Sequence, residues 1–301
     1  MHDDNRRLTA ADFPREILTL FDSYVHGGIS RRGFLEKASA HLGSLAAASV
    51  TFSLLRPDFA RAQVVAPDDA RIAITRIAID SPQGSGSVGA YVVVPAGEAP
   101  AGGWPTVLVI HENRGRNPHI EDIARRLGVD GFLAIAPDAL TALGGYPGDE
   151  DRARELFREL DQTKIRQDFL AAAAFAMAHP QGNSKLGAVG FCYGGGMVNT
   201  LATLVPDLKA GVAFYGSPPA FDQVGAIKAE MLIHHGGNDT RLVESWPAHE
   251  AALKEAGVAY EGYIYVDAEH GFNNDTTPRF DEKAAALAWK RTLALFNRVL
   301  I

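Results

Sequence analysis

The chain is poor in cysteine. Among 301 residues there is one, Cys192, so no intramolecular disulfide can form and zinc sites built on several cysteines are excluded. Cysteine usage therefore does not mark the redox compartment. An excess of positive charge is also lacking. The net charge of −7 and a pI near 5.8 argue against nucleic acid or an anionic membrane as partner. No phosphate loop is present, because Gly194-Gly195-Gly196 is not followed by Lys-Ser or Lys-Thr. Neither a nucleotide cofactor nor a metal is expected, and no internal repeat or low-complexity tract is evident. What remains is an ordinary globular composition, 47% hydrophobic and 22% charged, with enough length to bury a large core.

Residues 1–65 read differently from 66–301. Pro14 to His26 has the pattern of an amphipathic helix, with Gly27-Gly28 as its stop. Ser30-Arg31-Arg32-Gly33-Phe34-Leu35-Glu36-Lys37 follows, and then Ala38 to Leu55 without one Asp, Glu, Lys or Arg. Ala60-Arg61-Ala62 has the small-x-small form that signal peptidases cut. This segment resembles a twin-arginine export signal, which implies contact with export machinery and a periplasmic or exported mature protein. The stretch is too rich in Ala, Ser and Gly to form a stable membrane span. The alternative is that Ser30 caps a second helix, which stays on the main domain of a cytoplasmic protein.

From residue 71 the order becomes strand, strand, then alternating strand and helix. Arg71 to Asp80 and Val88 to Val94 are β-like and able to pair, and Thr106 to Ile110 is a continuous apolar strand of the buried parallel kind. Further strands are expected at Phe132 to Ala136, Leu186 to Phe191, Ala210 to Tyr215, Met231 to His235 and Tyr260 to Val266. Helices are expected at Ile120 to Leu127, Lys164 to His179, Met197 to Leu204, Ser245 to Ala256 and Ala284 to Val299. Residues 141–149 hold three glycines and a proline, and are expected to form a loop over the site. The alternation predicts an α/β fold, a doubly wound, mostly parallel sheet with helices on both faces. Ligands in such sheets bind where the strand C-termini and their loops collect.

Cys192 lies in Gly190-Phe191-Cys192-Tyr193-Gly194-Gly195-Gly196, between an apolar strand and a helix. Outside such a context, a free cysteine is most often a small buried hydrophobe. Here strand, glycine-framed turn and helix form the nucleophile elbow of α/β-hydrolases, with cysteine in place of serine. A helix N-terminus at the sulfur favours its thiolate. An elbow nucleophile needs a base, and the base needs an orienter. Asp239 and His270 lie just past two later strands, in the chain order nucleophile, acid, histidine. Asp267 and Glu269 could orient His270 instead, but they share its loop, and Asp275 lies beyond the expected position. His234 and His235 fall inside a strand and read as core histidines. After the third strand comes His111-Glu112-Asn113-Arg114-Gly115, in the loop that supplies the second oxyanion donor in this fold. The backbone amides of Asn113 and Tyr193 are therefore the expected oxyanion hole, and Glu112 is a second carboxylate facing the thiol.

These strings together resemble the dienelactone hydrolase family, over essentially residues 66–301, and its branch with an N-terminal extension. The resemblance implies a cofactor-independent carboxylic ester or lactone hydrolase with a Cys192–His270–Asp239 triad. It also implies that Glu112 contacts the cysteine and takes its proton when substrate binds. The family clamps a substrate carboxylate with two arginines, one of them four residues after the catalytic histidine. That place is Asn274 here, which weakens the expectation for dienelactone itself. The other arginine falls in the region of Arg152 to Arg154, and Arg114 is a possible replacement. Phe272 is a further expected substrate contact. The rival readings are a thioesterase, acyltransferase or peptidase on the same scaffold, or a non-catalytic protein that keeps the pocket.

Overall fold

The computed structural model describes residues 6–301, so the first five residues of the expected extension lie outside it. Three helices come first: α1 (Arg15–Val25), α2 (Arg31–Leu42) and α3 (Leu45–Leu55). The strands β1 (Ile72–Ser81), β2 (Gly86–Pro95) and β3 (Trp104–Ile110) lead to α4 (Pro118–Val129) and β4 (Leu133–Asp138). Next come α5 (Glu150–Glu159), α6 (Gln162–Met177), β5 (Gly182–Phe191) and α7 (Tyr193–Leu204). The chain finishes with β6 (Leu208–Phe214), β7 (Glu230–Gly236), α8 (Thr240–Glu255), β8 (Tyr260–Tyr265) and α9 (Glu282–Leu300).

The strands form one sheet in the order β1-β2-β4-β3-β5-β6-β7-β8. The β1–β2 and β2–β4 pairs are antiparallel, and every later pair is parallel. Alternation along the strands separates two cores. Leu108 and Ile110 point into one, filled by Ile165, Phe169, Ala172 and Ala176 of α6 and Val198 and Leu201 of α7. Val107 and Val109 point into the other, filled by Ile120, Ile123 and Leu127 of α4 and Leu295 and Phe296 of α9. A sheet buried on both faces explains the continuous apolar runs at β3, β4 and β5.

One local expectation is corrected. Residues 141–149 do not cover the site. A short 3-10 turn at Ala139–Leu143 brings them back on Asp138, whose carboxylate accepts from the backbone of Leu140, Arg116 and Tyr146. The segment after it forms α5, which carries so much charge that its apolar positions Ala153, Leu156 and Phe157 are easily overlooked.

Helices α1 to α3 have a third core of their own, built on Phe21, Tyr24, Phe34 and Phe52 with Ile17 and Leu55. The uncharged stretch after Lys37 is broken at Gly43, in the left-handed region at φ 80°, and Ser44 caps α3 by accepting from the Ala47 amide. No single helix among the described residues is long and apolar enough to cross a membrane. Helices α2 and α3 pass that test only together, and they are bent by 116°.

Candidate active site

The site begins at the β5–α7 turn. Cys192 sits at φ 54° and ψ −111°, a conformation that non-glycine residues rarely adopt. Its neighbours make that turn possible. A Cβ at Gly190 would lie 2.1 Å from the Gly194 carbonyl oxygen, and one at Gly194 would lie 2.2 Å from that of Ile110. At Gly195 it would meet the Phe214 carbonyl oxygen at 2.6 Å. Gly196 is different, with no atom nearer than 3.5 Å. The tight elbow therefore depends on three of the four glycines.

Two further strand ends deliver the base and its orienter. Asp239, just beyond β7, accepts at Oδ2 from His270 Nδ1 at 2.5 Å, and both side chains are 5% exposed. Two of the other acids considered for this task are engaged elsewhere, and Asp267 is exposed. Asp275 pairs with Arg126 at 2.5 Å and with His119 at 3.2 Å, and Glu269 accepts from the Asn238 side chain. His234 is a core histidine between Tyr265 and Thr292, and His235 is buried beside Trp246.

Cys192 meets an imidazole that the sequence pattern did not single out. His26, directly after α1, places Nε2 at 3.6 Å from Cys192 Sγ and 3.2 Å from His270 Nε2. Its Nδ1 lies 3.2 Å from Asp22 Oδ2. The docking is specific: Asn113 Nδ2 donates to the Val25 carbonyl at 2.9 Å, Arg154 donates to that of Tyr24 at 2.5 Å, and Arg154 stacks over the Tyr24 ring. Burial raises the thiol's pKa, but the charge of His270 and hydrogen bonds from His26 and His270 outweigh it, bringing Cys192 down to about 6. Burial lowers the imidazole's pKa at His26, yet Asp22 and the thiolate together lift it to about 10. His270 is raised in the same direction by Cys192 and Asp239 against its burial, and the charge of His26 opposes it.

His26, Cys192 and His270 form the one group of three metal-ligating side chains found together among the described residues, with donor atoms within 4.8 Å of one another. A structural zinc site takes four ligands, and a catalytic zinc would occupy the sulfur lone pair that the nucleophile needs. Hydrogen bonding already accounts for the spacing of these atoms.

The remaining expected residues fall in two groups. Tyr193 is the first residue of α7, so its N–H is a free first-turn donor beside the sulfur, and Asn113 stands in the β3–α4 loop opposite. Glu112 is buried and accepts at Oε2 from Asn274 Nδ2 at 3.1 Å. Cys192 opens into a cavity of about 580 Å³, whose wall includes His26, Asn113, Tyr193, Arg166 and Arg241. No carboxylate is among the side chains that line it. Arg114, Arg152, Phe272 and Asn274 are not brought to this wall. Arg114 is buried against Glu150 at 3.0 Å, Arg152 is half-exposed beside Glu155, and Phe272 packs on Tyr215 and Tyr265. Tyr215, also on the cavity wall, is buried at φ 39° with its ring 5.0 Å from that of His270. Nothing in the sequence singles it out, because a tyrosine ending an apolar strand carries no signal of its own.

The chain as a whole resembles known proteins. A model of the dienelactone hydrolase family matches residues 88–300, and a YqhI-like model matches residues 4–42. The chain is similar to an Escherichia coli (strain K12) protein provisionally named a carboxymethylenebutenolidase, at 32% identity over 78% of this chain and 90% of that one. It is also similar to the hydrolase fragment YghX of the same strain, at 47% identity over 37% of this chain and 94% of the fragment. Among solved structures it resembles one from Klebsiella pneumoniae, provisionally named a dienelactone hydrolase. There the TM-score is 0.66 and the identity 29%, over 75% of this chain and 99% of that one.

Proposed function

The chain belongs to the dienelactone hydrolase family and is a carboxylic ester or lactone hydrolase of α/β-hydrolase fold, and we propose that it acts through Cys192 as nucleophile. The observation that carries this reading is the hydrogen-bonded line from Asp239 through His270 toward the strained, glycine-framed sulfur. Cys192 Sγ attacks the substrate carbonyl, and the oxyanion is held by the Asn113 and Tyr193 amides. His270, oriented by Asp239, returns a proton to the leaving oxygen and then activates the hydrolytic water. Glu112 is engaged by Asn274 in this state, so ionisation of the thiol rests on the imidazoles around it. Turnover of a short-chain nitrophenyl ester before and after alkylation tests the proposal. Activity should vanish with the thiol; full activity of alkylated protein or of Cys192→Ala would refute it.

The cavity supports a substrate that bears an acid. Arg166 and Arg241 stand on its wall, where a carboxylate remote from the scissile bond can pair with them. We propose in addition that the N-terminal helices stay on the enzyme. Ser30 caps α2 by accepting from the Gly33 amide, Arg31 pairs with Asp151, and Arg56 pairs with Asp149. These contacts favour retained helices over a cleaved export leader. An intact N-terminus on the native protein would support retention, and a chain beginning after Ala62 would oppose it.

A further inference from the structure

Cys192 faces two imidazoles, and the triad accounts for only one. The Nδ1 atom of His26 faces acceptors, the Asp22 carbonyl at 2.9 Å and its Oδ2 at 3.2 Å, so Nδ1 carries a proton. His270 Nδ1 faces Asp239 Oδ2 and carries one too. The two Nε2 atoms are left facing each other at 3.2 Å, beside the sulfur. A hydrogen bond between two ring nitrogens needs one donor and one acceptor, so the arrangement calls for one shared proton.

We propose that His26 is a second catalytic imidazole, which with His270 holds that single proton against the Cys192 thiolate and supplies it to the leaving alkoxide. The proposal rests on the cysteine mechanism above and adds to it the source of the acid. A cation is less costly where water reaches it. The His26 side chain is 27% exposed and that of His270 is 5%, so the charge belongs on His26 at rest. The groups around it agree with one added charge and not two. Asp22 on its own helix and the thiolate attract it, whereas His270 behind the sulfur, Arg279 at 3.5 Å from Asp22, and Arg158 beside Gly27 oppose a second.

The steps balance. Thiolate adds to the carbonyl, the carbon–oxygen bond breaks, and the shared proton moves to the leaving oxygen, giving an alcohol and a thioester beside two neutral rings. His270 then takes a proton from water as hydroxide adds to the thioester carbon. The carbon–sulfur bond breaks, sulfur departs as thiolate, and the new acid releases its proton to solvent. Thiolate and one shared proton are restored. A lone imidazole must pair with the thiolate as a cation and later serve as a neutral base, whereas two divide those tasks. The site is therefore completed by a segment far outside the hydrolase core.

The test compares ethyl and 4-nitrophenyl esters of one acid in wild type, His26→Gln and Asp22→Asn. Ethoxide needs a proton to leave and nitrophenolate does not. Both rates should fall in His26→Gln, but the ethyl-to-nitrophenyl ratio of kcat should fall by a further ~10²-fold, the scale of one general acid. The pH midpoint for alkylation of Cys192 should move from near 6 toward the ordinary thiol range, and Asp22→Asn should shift both readouts the same way. An unchanged ratio with an unchanged midpoint, in variants whose melting temperature and near-ultraviolet dichroism match wild type, would overturn the role of His26. Retained nitrophenyl turnover in Cys192→Ala would instead refute the cysteine mechanism itself.

Discussion

Asn274 donates from Nδ2 to Glu112 Oε2 at 3.1 Å, so the second acid of the site is held by the loop that carries His270. The same amide accepts at Oδ1 from the backbone and hydroxyl of Thr276. An asparagine, unlike an arginine, can do both.

Asn274→Ala should therefore cost about 1–3 kcal/mol of stability, because a buried carboxylate loses a donor and the loop loses its acceptor. Urea unfolding checks this, and a midpoint equal to wild type would show that Asn274 does not hold the loop.

Two glycine substitutions in the elbow should behave oppositely. Gly194→Ala drives a Cβ into the Ile110 backbone, so the protein should fail to fold or lose its activity. Gly196→Ala meets nothing closer than 3.5 Å, in the first turn of α7, so its melting temperature should equal or exceed that of wild type. Equal tolerance of both by soluble yield and thermal melting would mean that the turn is looser than described.

Much of this could be read from the chain. Period-2 and continuous apolar runs marked the strands, and the glycines around Cys192, with Asp239 and His270 after later strands, pointed to the residues of the proposed triad. His26 could not be read in the same way. Its only local sign is the Asp22-to-His26 spacing of four at the end of α1, which reads as an ordinary helical pair until the helix docks on Asn113 and Arg154. The arginine assignments failed for a related reason. Arg114 and Arg152 are near in sequence to plausible clamp positions, but Glu150 and Glu155 claim them, while Arg166 reaches the cavity from a helix to which the sequence assigned no site residue.

The pH dependence of the thiol has a defined sign. Cys192 is brought down from the ordinary 9.0 to about 6, so its alkylation rate should rise between pH 5 and 7 and level off above. By linkage, a depressed thiol stabilises the fold above the unfolded value of 9.0, and this contribution is lost as pH falls through about 6. Iodoacetamide kinetics across this range decide it, and a midpoint near 9 would contradict the thiolate.

Arg166→Ala and Arg241→Ala should each raise KM about tenfold for esters that carry a remote carboxylate, the loss of one charge-assisted hydrogen bond. Matched neutral esters should be little affected in KM. Equal effects on both kinds would remove the case for an acidic substrate.

In the proposed mechanism the acyl group passes through Cys192. Intact-mass analysis of enzyme quenched during turnover of a slowly deacylated nitrophenyl ester, followed by peptide mapping, reads it directly. The expected result is one acyl adduct, on the peptide holding Cys192, that forms at the rate of the nitrophenol burst. Turnover with no adduct, or an adduct on another residue, would contradict the account.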